Sequence, residues 1–206
     1  MPSDSKKPIL DQSTVEKNPF LQFEKWYGEA YRLSGEEASA MTIATASSNQ
    51  PNARTVYLRG EDEKGYWFFT NYTSRKAKEL AKNKKSCLLF FWPRLFRQVK
   101  MLGYVEKLSA KESDTYFNSR PRGSQIGAWS SPQSRPIADR KTLDGLVMMN
   151  TKKFEGKNIP RPKNWGGFRF VPTYFEFWYG RESRLHDRIV FARQKNGKWT
   201  IERLAP

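Results

Sequence analysis

From Ala40 onward the apolar residues stop recurring at helical spacing, and a series of strands begins in which several neighbours are joined by turns too short for a crossover. Met41–Ala46 and Asn52–Gly60 read as strands, Asp62-Glu63-Lys64-Gly65 as a turn, and Tyr66–Thr70 as the next strand. Strands joined this closely run antiparallel, because parallel neighbours need a connection of a dozen residues or more. Ser86–Trp92 and Gln98–Leu108 continue the series, and residues 167–171, 174–179, 187–194 and 198–203 end it. Asn196-Gly197 predicts a type I′ hairpin between the last two. Helices flank these strands instead of alternating with them. Asn18-Pro19 opens a helix over 19–33 with an aromatic face of Phe20, Phe23, Trp26, Tyr27 and Tyr31. Ser74 caps a short helix over 75–82, the capping box Ser109-Ala110-Lys111-Glu112 starts one that runs to Asn118, and another covers 138–154. Residues 119–135 read as irregular and 155–163 as a linker. The pattern predicts a mainly β fold with flanking helices, an antiparallel barrel, and argues against a doubly wound parallel sheet.

The 14 Phe, 9 Tyr and 7 Trp give such a barrel large side chains to bury. One Cys and one His exclude a disulfide framework within the chain, a multi-cysteine zinc site and a histidine-rich metal centre, so no metal is expected. Cys87 lies in an apolar strand and reads as an inert buried thiol. The apolar run Cys87–Trp92 is too short to span a bilayer, and Met1–Glu16 has no apolar signal region. A cytoplasmic protein with no membrane partner is the expectation, with residues 1–17 as a mobile leader and 18–206 as one domain. Neither G-x-G-x-x-G nor a P-loop is present, so a nucleotide-like cofactor would not be held by a glycine turn of either kind.

The net charge of +16 attracts anions, and three segments concentrate groups that bind them. In Thr70-Asn71-Tyr72-Thr73-Ser74-Arg75-Lys76 a strand ends, hydroxyls gather and a helix begins with two cations at its positive end. An anion between them relieves that conflict, and a phosphate there meets N–H groups, hydroxyls and both cations. Asn118-Ser119-Arg120-Pro121-Arg122-Gly123-Ser124-Gln125 places two Arg and two Ser on a loop stiffened by Pro121, a second anion site by the same logic. In Arg184-Leu185-His186-Asp187-Arg188 an extended backbone would put Arg184, His186 and Arg188 on one face. Each segment taken alone also fits a solvated surface.

Taken in order, these segments resemble the pyridoxine/pyridoxamine 5′-phosphate oxidase family over nearly the whole chain. The resemblance is carried by Arg54-Thr55-Val56-Tyr57-Leu58-Arg59, Phe69-Thr70-Asn71, Ser74-Arg75-Lys76, Arg97-Gln98-Val99, Ser119 to Trp129, Gln133-Ser134, Trp165-Gly166-Gly167, Glu176-Phe177-Trp178 and Arg184 to Arg188. It implies an FMN-binding split β-barrel that forms a homodimer with FMN at the interface. The implied reaction oxidises pyridoxine or pyridoxamine 5′-phosphate to pyridoxal 5′-phosphate, with dioxygen reduced to hydrogen peroxide. The implied FMN contacts are Arg54, Thr55, Val56, Tyr57, Leu58, Arg59, Phe69, Thr70, Arg75, Lys76, Gln98, Gln133, Ser134, Trp178 and Arg188, some from the partner chain. The implied substrate contacts are Arg59, Tyr116, Arg120 and Ser124 at the phosphate, and Arg184, Leu185 and His186 at the ring, where Arg184 and His186 would be catalytic.

Two departures stand out. Arg59 occupies a position where the family usually has Lys, and the family's N-terminal Arg-x-x-Tyr-like lid has no match in residues 1–17. A rival reading is an oxidase of the same fold acting on another substrate, as in phenazine biosynthesis, although the intact Ser119 to Gln125 stretch favours the B6 substrate. A more remote one is a basic nucleic-acid-binding barrel, which predicts steep salt dependence and no chromophore.

Overall fold

A computed structural model of the chain describes residues 9–206. Among the described residues, nine strands form one antiparallel sheet: β1 (Ala40–Ser47), β2 (Gln50–Tyr57), β3 (Gly60–Asp62), β4 (Gly65–Asn71), β5 (Lys85–Trp92), β6 (Arg97–Lys107), β7 (Trp165–Tyr179), β8 (Asp187–Arg193) and β9 (Trp199–Leu204). The main path runs β2-β1-β5-β6-β7-β4-β3, with β8 and β9 branching from β7. The path curls back on itself, since β2 contacts β4 and the Arg59 N–H donates to the Trp67 carbonyl at 2.9 Å. Five helices flank it: α1 (Pro19–Ser34), α2 (Arg75–Lys82), α3 (Ala110–Ser119), α4 (Arg122–Ser130) and α5 (Arg140–Lys153).

The caps act as their residue types dictate. The Asn18 side chain accepts from the Phe20 N–H with Pro19 in the first turn, and Ser109 and Glu112 form both bonds of a capping box. The α1 stripe turns inward, burying Phe23, Trp26 and Ala30. Phe23 meets Tyr66 and Phe90 edge-on, and Trp26 meets Phe177 at 89°. Each such ring pair adds about 0.5–1.5 kcal/mol beyond the area it buries. A second, smaller core of Phe117, Ile126, Phe154, Ile159 and Trp165 ties α3, α4 and α5 to the start of β7.

Several sequence expectations are corrected. The strand predicted over 52–60 ends at Tyr57, because the Leu58 N–H turns away to the Ser39 carbonyl. The two strands predicted over 167–171 and 174–179 are one, β7, which continues through Pro172. Pro172 is tolerated because it sits beside a bulge against Leu102 and Gly103, between the stretch that pairs with β4 and the stretch that pairs with β8. A Cβ at Gly103 would lie 2.1 Å from the Val171 carbonyl oxygen, so the close approach there requires glycine. The last hairpin is not type I′, since Gly197 has φ 82 and Asn196 is not left-handed. Residues 119–135, read as irregular, contain α4. Of the residues assigned to a mobile leader, 1–8 lie outside the described ones, and 9–17 lie against the body. There Leu10 and Val15 are buried, and the Leu10 carbonyl accepts from Arg203 at 2.6 Å.

One half-buried acid sets a pH dependence. Burial, reinforced by Glu24, pushes the Glu61 carboxyl up to about 7. A folded-state value above the unfolded one stabilises the fold at low pH, and that contribution is lost as pH rises from about 4.5 through 7. Glu61→Gln is therefore expected to raise stability by about 1–2 kcal/mol at pH 8, a reduced figure because the side chain is only half-buried. At pH 4 the variant should match the parent. Denaturant melts of both proteins at the two pH values check this, and equal stability differences at both would refute it.

Candidate active site

A cleft of about 740 Å³ opens where β2, β4, α2, α3, α4 and the start of β7 converge. Its floor is a set of nearly parallel rings. Phe69 stacks on Tyr116 at 3.9 Å and on Trp165 at 5.3 Å, with interplanar angles of 12° and 8°. Gly167 makes room for this, because a Cβ there would come within 2.9 Å of the Phe69 ring and 2.5 Å of Leu108. The hydrophobic alternation of β4 and the end of α3 bring Phe69 and Tyr116 here from distant parts of the chain.

Two cations stand in the cleft without a carboxylate. Lys76, in the first turn of α2, donates to Thr70 Oγ1 at 3.1 Å and to Gln133 Oε1 at 3.3 Å, both neutral acceptors. Burial, then the Arg54 guanidinium, pull its ammonium below the ordinary lysine value. Arg120 follows α3 and lies over Trp165, 4.7 Å from the ring centroid. Its Nη1 is buried with no hydrogen-bond partner, and burial holds its guanidinium below the usual arginine value. The Gln125 amide fixes this turn by donating to the Phe117, Asn118 and Arg120 carbonyls. A buried cation lacking an anion is costly, so the arrangement is suited to receiving one.

Of the residues singled out in the sequence, the cleft gathers Thr55, Val56, Tyr57, Arg59, Phe69, Thr70, Lys76, Tyr116, Arg120, Ser124 and Gln133. Others lie elsewhere. Arg54 is turned to Glu79, at 2.8 Å, and to Thr45 Oγ1, at 2.7 Å. Arg75 also binds Glu79, at 3.0 Å, with its side chain 67% exposed, and it lines a neighbouring groove with Ser134. Burial alone would raise Glu79, but hydrogen bonds from Thr45, Asn52, Arg54 and Arg75 bring it down to about 2. The Leu58 side chain is in the core.

A second constellation lies on the outer face of the sheet. Gln98, Trp178 and Arg188 are directly opposite one another on β6, β7 and β8, with Phe91 of β5 next in the row. Arg188 is held by Glu176 Oε1 at 2.9 Å and by the Ala205 carbonyl at 2.8 Å, and Glu176 also pairs with Lys100. The His186 ring packs on Trp178, with centroids 4.6 Å apart. The extended backbone expected for Arg184 to Arg188 begins only at Asp187. Ser183 and Arg184 have φ of 53° and 61°, so a tight turn, not strand alternation, places Arg184 and His186. His186 Nδ1 accepts from the Arg181 N–H at 3.1 Å, which leaves the ring proton on Nε2. Leu185 is exposed.

Sequence reasoning missed Trp165 as a site residue, although it begins a quoted motif, and missed Glu36, which gave no signal. Gly127, Ala128 and Ser131 were hidden with α4 and its C-terminal end. Among the described residues no three His, Cys, Asp or Glu side chains gather to hold a metal, and no helix is long and apolar enough to cross a membrane.

Comparison with known proteins places the chain in a family. Residues 28–146 match the family described as pyridoxamine 5′-phosphate oxidase, and residues 165–206 match the pyridoxine 5′-phosphate oxidase C-terminal dimerisation region. The pyridoxine/pyridoxamine 5′-phosphate oxidase of Nostoc punctiforme is 49% identical over 198 residues, covering 96% of this chain and 92% of its own. That of Cupriavidus necator is 50% identical, covering 96% and 93%. Among solved structures, PhzG of Burkholderia lata, bound to tetrahydrophenazine-1-carboxylic acid, superposes with a TM-score of 0.89 at 27% identity, covering 96% of this chain and 98% of its own. A pyridoxamine 5′-phosphate oxidase-related, FMN-binding protein of Nostoc punctiforme shares the fold at 17% identity, with a TM-score of 0.71 and coverage of 89% and 97%. The antiparallel sheet is thus a split barrel, and the chain belongs to the pyridoxine/pyridoxamine 5′-phosphate oxidase family of oxidoreductases.

Proposed function

We propose that this protein oxidises pyridoxine or pyridoxamine 5′-phosphate to pyridoxal 5′-phosphate, using FMN and passing the electrons to dioxygen to give hydrogen peroxide. The observation that carries the reading is a cleft with two carboxylate-free cations, Lys76 and Arg120, on different helical elements beside a floor of flat rings. Both FMN and the substrate combine one phosphate with one flat ring system, so the donor set fits the pair. The volume lies within the range of cofactor clefts. Lys76 and Thr70 would hold the flavin phosphate, while Arg120, Arg59 and Ser124 would hold that of the substrate.

When bound, the flavin would supply the two-electron redox chemistry between substrate and dioxygen. The contribution of the chain is to bind, orient and exclude water. The Phe69, Tyr116 and Trp165 rings form an apolar wall beside the two phosphate sites. With Nδ1 occupied, His186 would use its Nε2 to hydrogen-bond the substrate.

We further propose a homodimer. Its support is the match to a dimerisation region and the outer face of the sheet, where Phe91 and Leu102 are 56% and 43% exposed beside Gln98, Trp178 and Arg188. The partner's copy of that row would complete the cleft. A flavin oxidase acting on a phenazine precursor is the second reading, favoured by the likeness to PhzG. The identity of 49–50% to the B6 oxidases, against 27% to PhzG, supports the first.

The test is an anaerobic absorption spectrum before and after pyridoxine 5′-phosphate. Flavin bands should bleach on addition and return with air. Bands that stay unchanged would move the function to another substrate, and failure to bind FMN would remove the flavin assignment.

A further inference from the structure

Among the residues lining the cleft, Glu36 is the only carboxylate, and it is spent on one of the two guanidiniums assigned to the substrate phosphate. It lies on the short turn Gly35–Ser39 after α1. That turn is pinned, because Ser39 Oγ donates to the Glu36 carbonyl at 2.8 Å and the Ser39 carbonyl accepts from the Leu58 N–H at 2.9 Å. Arg59 Nη1 donates to Glu36 Oε1, and the Arg59 guanidinium lies 5.0 Å from the Tyr57 ring centroid. Arg120 has no such partner.

The two arginines therefore meet an incoming phosphate in different states. Arg120 is free to bind at once, whereas Arg59 must first leave Glu36. The exchange is inexpensive, because the Glu36 side chain is 62% exposed and water replaces the guanidinium as it leaves. A phosphate offers Arg59 more charge and more acceptor oxygens than the carboxylate does. When the phosphate departs, Glu36 takes Arg59 back. The substrate and the product carry the same phosphate, so the competition weakens both complexes equally.

We propose that Glu36 is an internal competitor for Arg59 that sets the affinity for the phosphate end of substrate and product alike. It keeps the product from being held too tightly. The inference rests on the reading of Arg59 as a phosphate ligand.

The test compares Glu36→Gln with Glu37→Gln in the flavin-loaded enzyme. Glu37 is the neighbouring exposed acid outside the cleft, and its substitution removes the same unit of charge. In Glu36→Gln the KM for pyridoxine 5′-phosphate and the dissociation constant of pyridoxal 5′-phosphate should fall by a common factor of about two to five. The second constant is read from quenching of tryptophan fluorescence. The anaerobic rate of flavin bleaching at saturating substrate should be unchanged, and Glu37→Gln should match the parent. An unchanged or raised KM in Glu36→Gln, or an equal fall in both variants, overturns the proposal. Arg59→Ala separates the two levels of the argument. If it leaves both constants unchanged, the phosphate role of Arg59 fails. If it weakens both while Glu36→Gln strengthens neither, only the competitor role fails.

Discussion

A Lys76→Met variant is expected to purify almost colourless, with its affinity for FMN lowered about 30- to 100-fold. The ammonium is half-buried, its two acceptors are neutral oxygens, and the nearest strong influence beyond burial is the like charge of Arg54. Glu79 attracts it without forming an ion pair, so a phosphate would supply the direct anionic partner it lacks, and methionine keeps most of the side-chain volume while removing the charge. Arg75→Ala is the matched comparison. Arg75 already has Glu79 one helical turn away and lies largely in solvent, so its loss should change the affinity no more than about threefold. The ratio of flavin to protein absorbance after purification, followed by titration of the apoprotein with FMN, reads both. A yellow Lys76→Met protein, or a colourless Arg75→Ala protein, would reverse the assignment of the two neighbours.

The second large effect is placed on Arg120. Arg120→Ala should raise the KM for pyridoxine 5′-phosphate about 100-fold and leave flavin content at the parental level. The guanidinium already lies over the Trp165 ring with one buried nitrogen unpaired, so little reorganisation precedes binding. Arg120→Lys keeps the charge but loses the planar fork, and it should recover less than a tenth of the lost affinity. Steady-state kinetics together with the flavin spectrum decide the matter. Parallel loss of substrate affinity and flavin would mean that the two phosphate sites are not separate.

Local signals were legible where a residue type acts through its own backbone. Asn18-Pro19, Ser74 and the Ser109–Glu112 box each mark a helix start because their side chains satisfy the N–H groups a few positions ahead. Helix α4 was hidden because Pro121, Gly123, Ser124 and Gly127 all weigh against a helix. It forms through tertiary contacts instead, with Ile126 in the small core, Ser130 hydrogen-bonded to Asn150 of α5, and Arg122 bonded to the Phe154 carbonyl. Pro172 concealed the continuity of β7 for the opposite reason, since a bulge that no local pattern announces accommodates it.

The site divides in the same way. The concentration of cations and hydroxyls around residues 70–76 identified the right neighbourhood, but Glu79 decides that Arg75 faces outward while Lys76 faces the cleft. Glu36 looks like any surface acid until the chain closure at Arg59 brings the two together. The alternation argument for Arg184, His186 and Arg188 failed because two left-handed residues interrupt the strand.

Strand β7 acts as a ruler. Trp165 at its start belongs to the cleft, and Trp178 near its end belongs to the row with Gln98 and Arg188. Thirteen residues separate them, or roughly 40 Å of extended chain. Trp178 does not line the cleft that Trp165 lines, so the two ends of the strand serve different places on the same polypeptide. In the proposed dimer, one copy's strand would deliver its first half to one site and its second half to the other. Ownership of each catalytic centre would then be shared, and a lesion in one polypeptide would be felt in both.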